Sequence, residues 1–271
     1  MKPLSPRKRR LYVWLFVLLF FISVPLALLY AGGYRYKPGY GIVETGGIFI
    51  SVPYSDAMVL LDGDAVGRSG ILNKNFYMDD LAPAAYELQV TRASSTSWHR
   101  TVVVEPRIVT EARVVLLPEE IEPIRLARST STPPIRSVPP QRYDSYLRAF
   151  SIAATTTAES GELEAFVRAG DVYVSWVHPE KKSPDSFCKR PSSCVGEFVV
   201  ERGSQTTVSV ALFDGGIVYA TREGGVFFSE MDIRPTPVVV VLYPKARADA
   251  RVVNGALIIK DGSVLYQIEG F

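Results

Sequence analysis

The sequence predicts an all-β protein carried on one N-terminal transmembrane helix: an antiparallel β-sandwich, then an incomplete, propeller-like β domain of about three blades. Three observations predict it. Leu11 to Tyr34 contain no charged residue. From Ile48 onward apolar residues recur at every second position, with turn signals every 8–12 residues or so. Toward the C-terminus, hairpins with glycine at their turns repeat at a spacing of about 40 residues.

The apolar run comes first. At 1.5 Å per residue, about 20 such residues cross the hydrocarbon core of a bilayer. Lys2, Arg7, Lys8, Arg9 and Arg10 precede the run, whereas only Arg35 and Lys37 follow it closely. That asymmetry predicts a cytoplasmic head at 1–10, a transmembrane helix at 11–33 and an extracytoplasmic remainder after about residue 34, on the cell membrane. A cleaved signal peptide is the competing reading; its apolar region is typically only about 7–15 residues, shorter than this run. Pro25 lies inside the run, where a membrane helix tolerates it.

Residues 34–47 are rich in glycine and tyrosine and predict a juxtamembrane stalk with a strand near Ile42. Tyr30, Tyr34, Tyr36 and Tyr40 suit the outer interface, where an amphipathic ring prefers headgroup level. Residues 48–117 alternate with period two. Strands are predicted at Ile48–Val52, Met58–Leu61, Ala85–Val90, Thr101–Val104 and Ala112–Leu117. Asp62-Gly63 marks a tight turn after a strand.

Ser51-Val52-Pro53, Ala57-Met58-Val59, Asp62-Gly63 and Gly67, then Leu81-Ala82-Pro83 with Tyr86, Leu88 and Val90, resemble a PEGA domain. Trp98 and the strand through Val104 resemble that family's aromatic-led penultimate strand. Asp56 stands where the family has glycine, Ser69-Gly70 replaces Thr-Pro, and Ala84 replaces the glycine after Pro83. The resemblance implies a small β-sandwich of bacterial and archaeal surface proteins, without catalytic residues, serving as a spacer or adhesion module.

Residues 118–142 hold Pro118, Pro123, Pro133, Pro134, Pro139 and Pro140 around Ser129-Thr130-Ser131-Thr132. Such density opposes helix and central strand and predicts an extended linker between domains. In 143–271, Asp214-Gly215 and Gly224-Gly225 precede one pair of apolar runs, and Asn254-Gly255 and Asp261-Gly262 precede another. Gly170-Asp171 opens an earlier copy. Closed propellers typically have at least four blades. The domain is therefore expected to be an incomplete propeller, an open stack of sheets, or a unit that closes by self-association.

Composition narrows function. The 271 residues carry a net charge of +2, with the basic excess largely in the head, so nothing predicts a nucleic-acid partner. Cys188 and Cys194 lie in a polar loop, and outside the membrane a disulfide is the expected state; two free thiols, or a metal site with His178, are the alternatives. His99 reads as a solvated strand-start histidine, and Asp62-Gly63-Asp64 as a turn lacking the further ligands of a calcium loop. Asp79-Asp80 and Glu119-Glu120 read as solvated acidic pairs. No nucleophile elbow, phosphate loop or zinc-helix motif occurs. No catalytic, cofactor or metal residue is therefore assigned. The expected function is non-enzymatic binding, to an envelope protein, to cell-wall polysaccharide, or to further copies of the chain. The alternatives are a carbohydrate-active envelope enzyme on the last domain, and a sensor that would need a partner because the cytoplasmic head is so short.

Overall fold

A computed structural model describes residues 6–128, 135–152, 157–203 and 207–269. The protein is mostly β, with one long apolar helix at its start. Helix α1 spans Pro6–Ala31, encloses Pro25 and buries none of its residues, so it is long and apolar enough to cross a membrane. A two-stranded hairpin follows, Tyr34–Lys37 paired antiparallel with Gly41–Glu44, the second strand holding Ile42 as expected.

Two sheets build the next unit. One has three strands in the order Asn75–Leu81, Gly46–Ser51, Val109–Arg113, with the last pair parallel. The other has four, in the order Asp64–Arg68, Met58–Leu61, Ala85–Thr91, Trp98–Val103. Alternation sends Ile48 and Ile50 from the first sheet, and Val59, Leu88, Val90, Trp98 and Val102 from the second, into one core. Asp62 and Gly63 both adopt positive φ, 50° and 86°, as a tight primed turn requires. The strands Asp64–Arg68 and Asn75–Leu81 lie outside the predicted ones: the first is mostly exposed, and in the second Tyr77 breaks the apolar alternation of the sequence.

Segment 118–142 departs from the expected linker. Ile124–Arg128 is a strand, paired antiparallel with Val264–Ile268 and parallel with Ile135–Val138. A second helix, α2, spans Pro140–Ala149. Three of the described prolines sit where no backbone donor is missed. Pro123 precedes the strand, and Pro139 and Pro140 occupy the N-cap and first turn of α2, where a missing N–H costs nothing. Ser129–Thr132, Pro133 and Pro134 lie outside the described residues. Nor does the boundary at Leu117 separate independent bodies. Val115 and Leu117 belong to the core of the following sheets, and Val238 packs against both cores.

Three antiparallel meanders follow, none closed into a barrel. The first holds Thr157–Ser160, Leu163–Arg168, Asp171–Trp176 and Glu197–Glu201. The second holds Thr207–Phe213, Gly216–Thr221, Gly225–Glu230 and Val239–Tyr243. The third holds Asp249–Val253, Ala256–Asp261 and Val264–Ile268, extended by the two strands from segment 118–142. One apolar cluster joins the first sheet to the second, through Val174, Phe198, Ile217 and Tyr219. Another joins the second to the third, through Val218, Phe228, Leu257 and Ile259. Helix α2 covers the third, with Tyr146 buried against Leu126, Ile258 and Leu265. The glycine turns stand at the hairpins the sequence marked: Asp214-Gly215 and Asn254-Gly255 both take positive φ.

Candidate functional site

A cleft of about 510 Å³ opens where the first unit meets the later sheets. One wall is the outward face of the three-stranded sheet. Because Ile48 and Ile50 point into the core, Phe49 and Ser51 point out, and Glu111 and Arg113 do likewise beside buried Ala112. The opposite wall is the cross-strand pair Leu163 and Trp176. The turn Pro184–Ser186 and the segment Glu230–Arg234 complete it. The size and the mixture of aromatic and polar lining suit a small ligand or a segment of a larger one.

Beneath the cleft lies a buried ion network that locks the two halves together. The side chains of Arg100, Glu230, Asp232 and Arg234 are each at most 4% exposed. Arg100 sits at an inward position of its strand, in phase with Trp98 and Val102. Its guanidinium pairs with Glu230, donates to the carbonyls of Pro235 at 2.8 Å and Arg234 at 3.3 Å, and lies 3.7 Å from Asp232. Glu230 also accepts from Trp98 Nε1 and from the Val238 amide, both at 3.1 Å. Arg234 donates to Asp232 through its backbone N, Nε and Nη2, and to the Glu111 carbonyl at 3.0 Å through Nη1. Burial pushes the Glu230 carboxyl above the usual carboxylate range; Arg100, the Val238 amide and the Trp98 indole pull it back without cancelling that shift.

A disulfide-tied loop makes the second clamp. Cys188 and Cys194 are bonded and face each other across a short hairpin. Phe187, 1% exposed, anchors the loop edge-on against Phe198 at 5.0 Å. From this loop Asp185 Oδ2 accepts the Glu111 amide at 2.7 Å, and Ser192 donates to Glu105 through its amide (2.9 Å) and hydroxyl (2.8 Å). Lys182 stands 3.3 Å from Asp185, and Lys181 holds Glu162 at 2.6 Å and below the usual carboxylate range. Trp176 Nε1 is buried with no protein hydrogen-bond partner among the described residues.

General acid catalysis needs a carboxyl within reach of its substrate. Here both oxygens of Glu230 and of Asp232 already accept protein donors. Among the described residues that line the cleft, the groups left to meet a ligand are the rings of Phe49 and Trp176, the Ser51 hydroxyl, Arg113 and the Glu111 carboxylate.

The sequence-marked residues lie elsewhere. His178 pairs with Glu180 at 3.0 Å and packs edge-on to Trp176, so it does not join the cysteines. His99 lies by Ser97 and Glu87. Asp80 pairs with Arg35, Asp62 accepts the Glu87 amide, and Glu119 and Glu120 are exposed. Among the described residues no three His, Cys, Asp or Glu side chains gather as metal ligands. The network residues were missed, although an arginine at an inward strand position is a readable sign of a buried charge. No protein-family model and no curated protein matches the chain.

Proposed function

We propose that the chain is a single-pass membrane-anchored extracytoplasmic protein whose cleft binds a segment of surface or cell-wall polysaccharide without chemically altering it. One observation carries the reading: Phe49 and Trp176 face a cleft bordered by an ion network whose carboxylates already accept protein donors. Flat aromatic rings with hydrogen-bonding neighbours suit a sugar's apolar face and its hydroxyl rim. The basic residues before α1 and their scarcity after it support a cytoplasmic N-terminus with the sheets outside. The turn at Asp62-Gly63 and the two sheets sharing one core support the PEGA resemblance of the first unit.

The test is retention of the full chain, in detergent micelles, on purified cell-wall polysaccharide. Retention of the native chain, lost in Trp176→Ala and Phe49→Ala while Leu72→Ala, exposed and outside the cleft, retains it, is the expected result. Retention unchanged by both cleft variants refutes the cleft. Capture only by an envelope protein replaces polysaccharide with protein as the ligand. Cleavage of the polysaccharide that disappears in Glu230→Gln overturns the non-enzymatic reading.

A further inference from the structure

The hairpin after α1 has two unlike faces. In its register Tyr36 stands opposite Ile42, and Arg35 opposite Val43. The Arg35 face is turned to the protein. Arg35 Nε pairs with Asp80 at 3.0 Å, its Nη1 donates to the Tyr30 carbonyl at 2.7 Å, and the guanidinium lies 3.8 Å from the centre of the Tyr30 ring. The other face presents Tyr36, 75% exposed, and Ile42, 66% exposed, with Tyr40 at the turn 60% exposed.

Nothing among the described residues covers these side chains, and a two-stranded hairpin this short is at best marginal by itself in water. Its position supplies what could cover them. From Leu11 to Tyr30 a helix rises about 30 Å, the thickness of the hydrocarbon core, so Tyr30 falls at the outer boundary. The helix closes at Gly33, φ 83°, whose amide donates to Tyr30 and whose carbonyl accepts both the amide and the hydroxyl of Thr45. The Thr45 carbonyl in turn accepts the Arg107 amide. Helix end, hairpin and first sheet are thus stitched at one point. A four-residue strand reaches only about 13 Å from it, which keeps the hairpin near headgroup depth.

We propose that the Tyr36, Tyr40 and Ile42 face lies in the headgroup–acyl boundary of the outer leaflet, as a second membrane contact beside α1. Tyrosine is suited to that depth, with its ring in the apolar boundary and its hydroxyl in the wet one. Helix and hairpin together then give the protein two points of attachment, so that the body cannot swivel about a single span and the cleft keeps one height above the surface. The inference rests on α1 being a retained anchor, as in the reading above.

The experiment uses the full chain reconstituted in phosphatidylcholine–phosphatidylglycerol vesicles. Environment-sensitive fluorophores are attached singly at Tyr36→Cys, Ile42→Cys, Leu19→Cys in the span, and Leu72→Cys, which is 99% exposed at the far end of the first unit. Labelling is non-reducing, so Cys188 and Cys194 stay bonded. Nitroxide lipids then quench at headgroup depth or deep in the chains. The labels at 36 and 42 are expected to lose most of their emission to the shallow nitroxide, Leu19 to the deep one, and Leu72 to neither. A further variant carries the label at Tyr40→Cys, and adding Tyr36→Ser and Ile42→Ser to it is expected to abolish its quenching. If Leu19 is quenched while 36 and 42 answer only to a water-soluble quencher, the hairpin contact is refuted and the anchor stands. If Leu19 is not quenched, the anchor reading fails and takes the inference with it.

Discussion

Replacing Arg100 by methionine removes the positive centre of the buried network and keeps most of the side-chain volume. Glu230 would then lie 4% exposed without its guanidinium. Removing one partner of a buried ion pair costs about 3–5 kcal/mol, because the other charge stays desolvated. The loss should depend on pH. Burial already lifts the Glu230 carboxyl, and Arg100 is the chief group lowering it, so R100M raises it further. A carboxyl whose folded pKa exceeds its unfolded value binds more protons when folded; its contribution is fully present below the unfolded value and is lost as pH rises through the folded one. The R100M deficit should therefore be largest near pH 8 or so and shrink toward about pH 5. E230Q keeps one acceptor oxygen, for the Trp98 indole or for the Val238 amide but not both, while Arg100 keeps the Pro235 and Arg234 carbonyls; it should cost less, about 1–3 kcal/mol. The double variant R100M/E230Q should be more stable than the sum of the singles implies, by about 1–3 kcal/mol. Urea unfolding of the full chain in micelles, followed by tryptophan emission, measures all four proteins. An R100M loss below about 1 kcal/mol, or one independent of pH, would refute the claim that this pair locks the two halves.

Three further outcomes are expected. Replacing Cys188 and Cys194 together by serine should cost about 2 kcal/mol, the loop-closure entropy of a short ring, read as a lower urea midpoint that reductant reproduces in the native chain. Leu126→Ala should cost about 2–4 kcal/mol because Leu126 is 2% exposed in the core beneath α2; a free linker would lose almost nothing in the same melt. Gly225→Ala should cost well over 2 kcal/mol, since its Cβ would stand 2.0 Å from the Tyr243 carbonyl at a φ of 95°, whereas Gly255→Ala, with open space at φ 76°, should cost about 1 kcal/mol; equal midpoints would refute the difference.

Local signals carried much of the fold. The uncharged run, the period-two stretches and the Asx-Gly turns each depend on a few neighbouring residues, and each marked an element that exists. What failed depended on distant residues. Proline density in segment 118–142 suggested a spacer, but Leu126 finds Leu265 as its strand partner, far away along the chain. Helix α2 carried its own sign, since Pro140 at the start and Tyr143, Tyr146 and Phe150 recur at helical spacing; the neighbouring prolines masked it. The cleft was less legible. Its aromatic residues come from strands 127 positions apart, Phe49 and Trp176, and nothing local pairs them.

The sequence by itself determined the apolar helix, the all-β character and the positions of the hairpin turns, because hydrophobic periodicity and positive-φ turn residues act over only a few residues. Tertiary structure alone decided that Ile124–Arg128 completes the third sheet, that Arg100 meets Glu230, and that two sheet systems share Val238 between their cores. The first two join residues more than a hundred positions apart, as does the packing of Val238 on the first core. They exist because a desolvated charge and an unpaired strand edge must each find a partner, and only the packed chain brings one within reach.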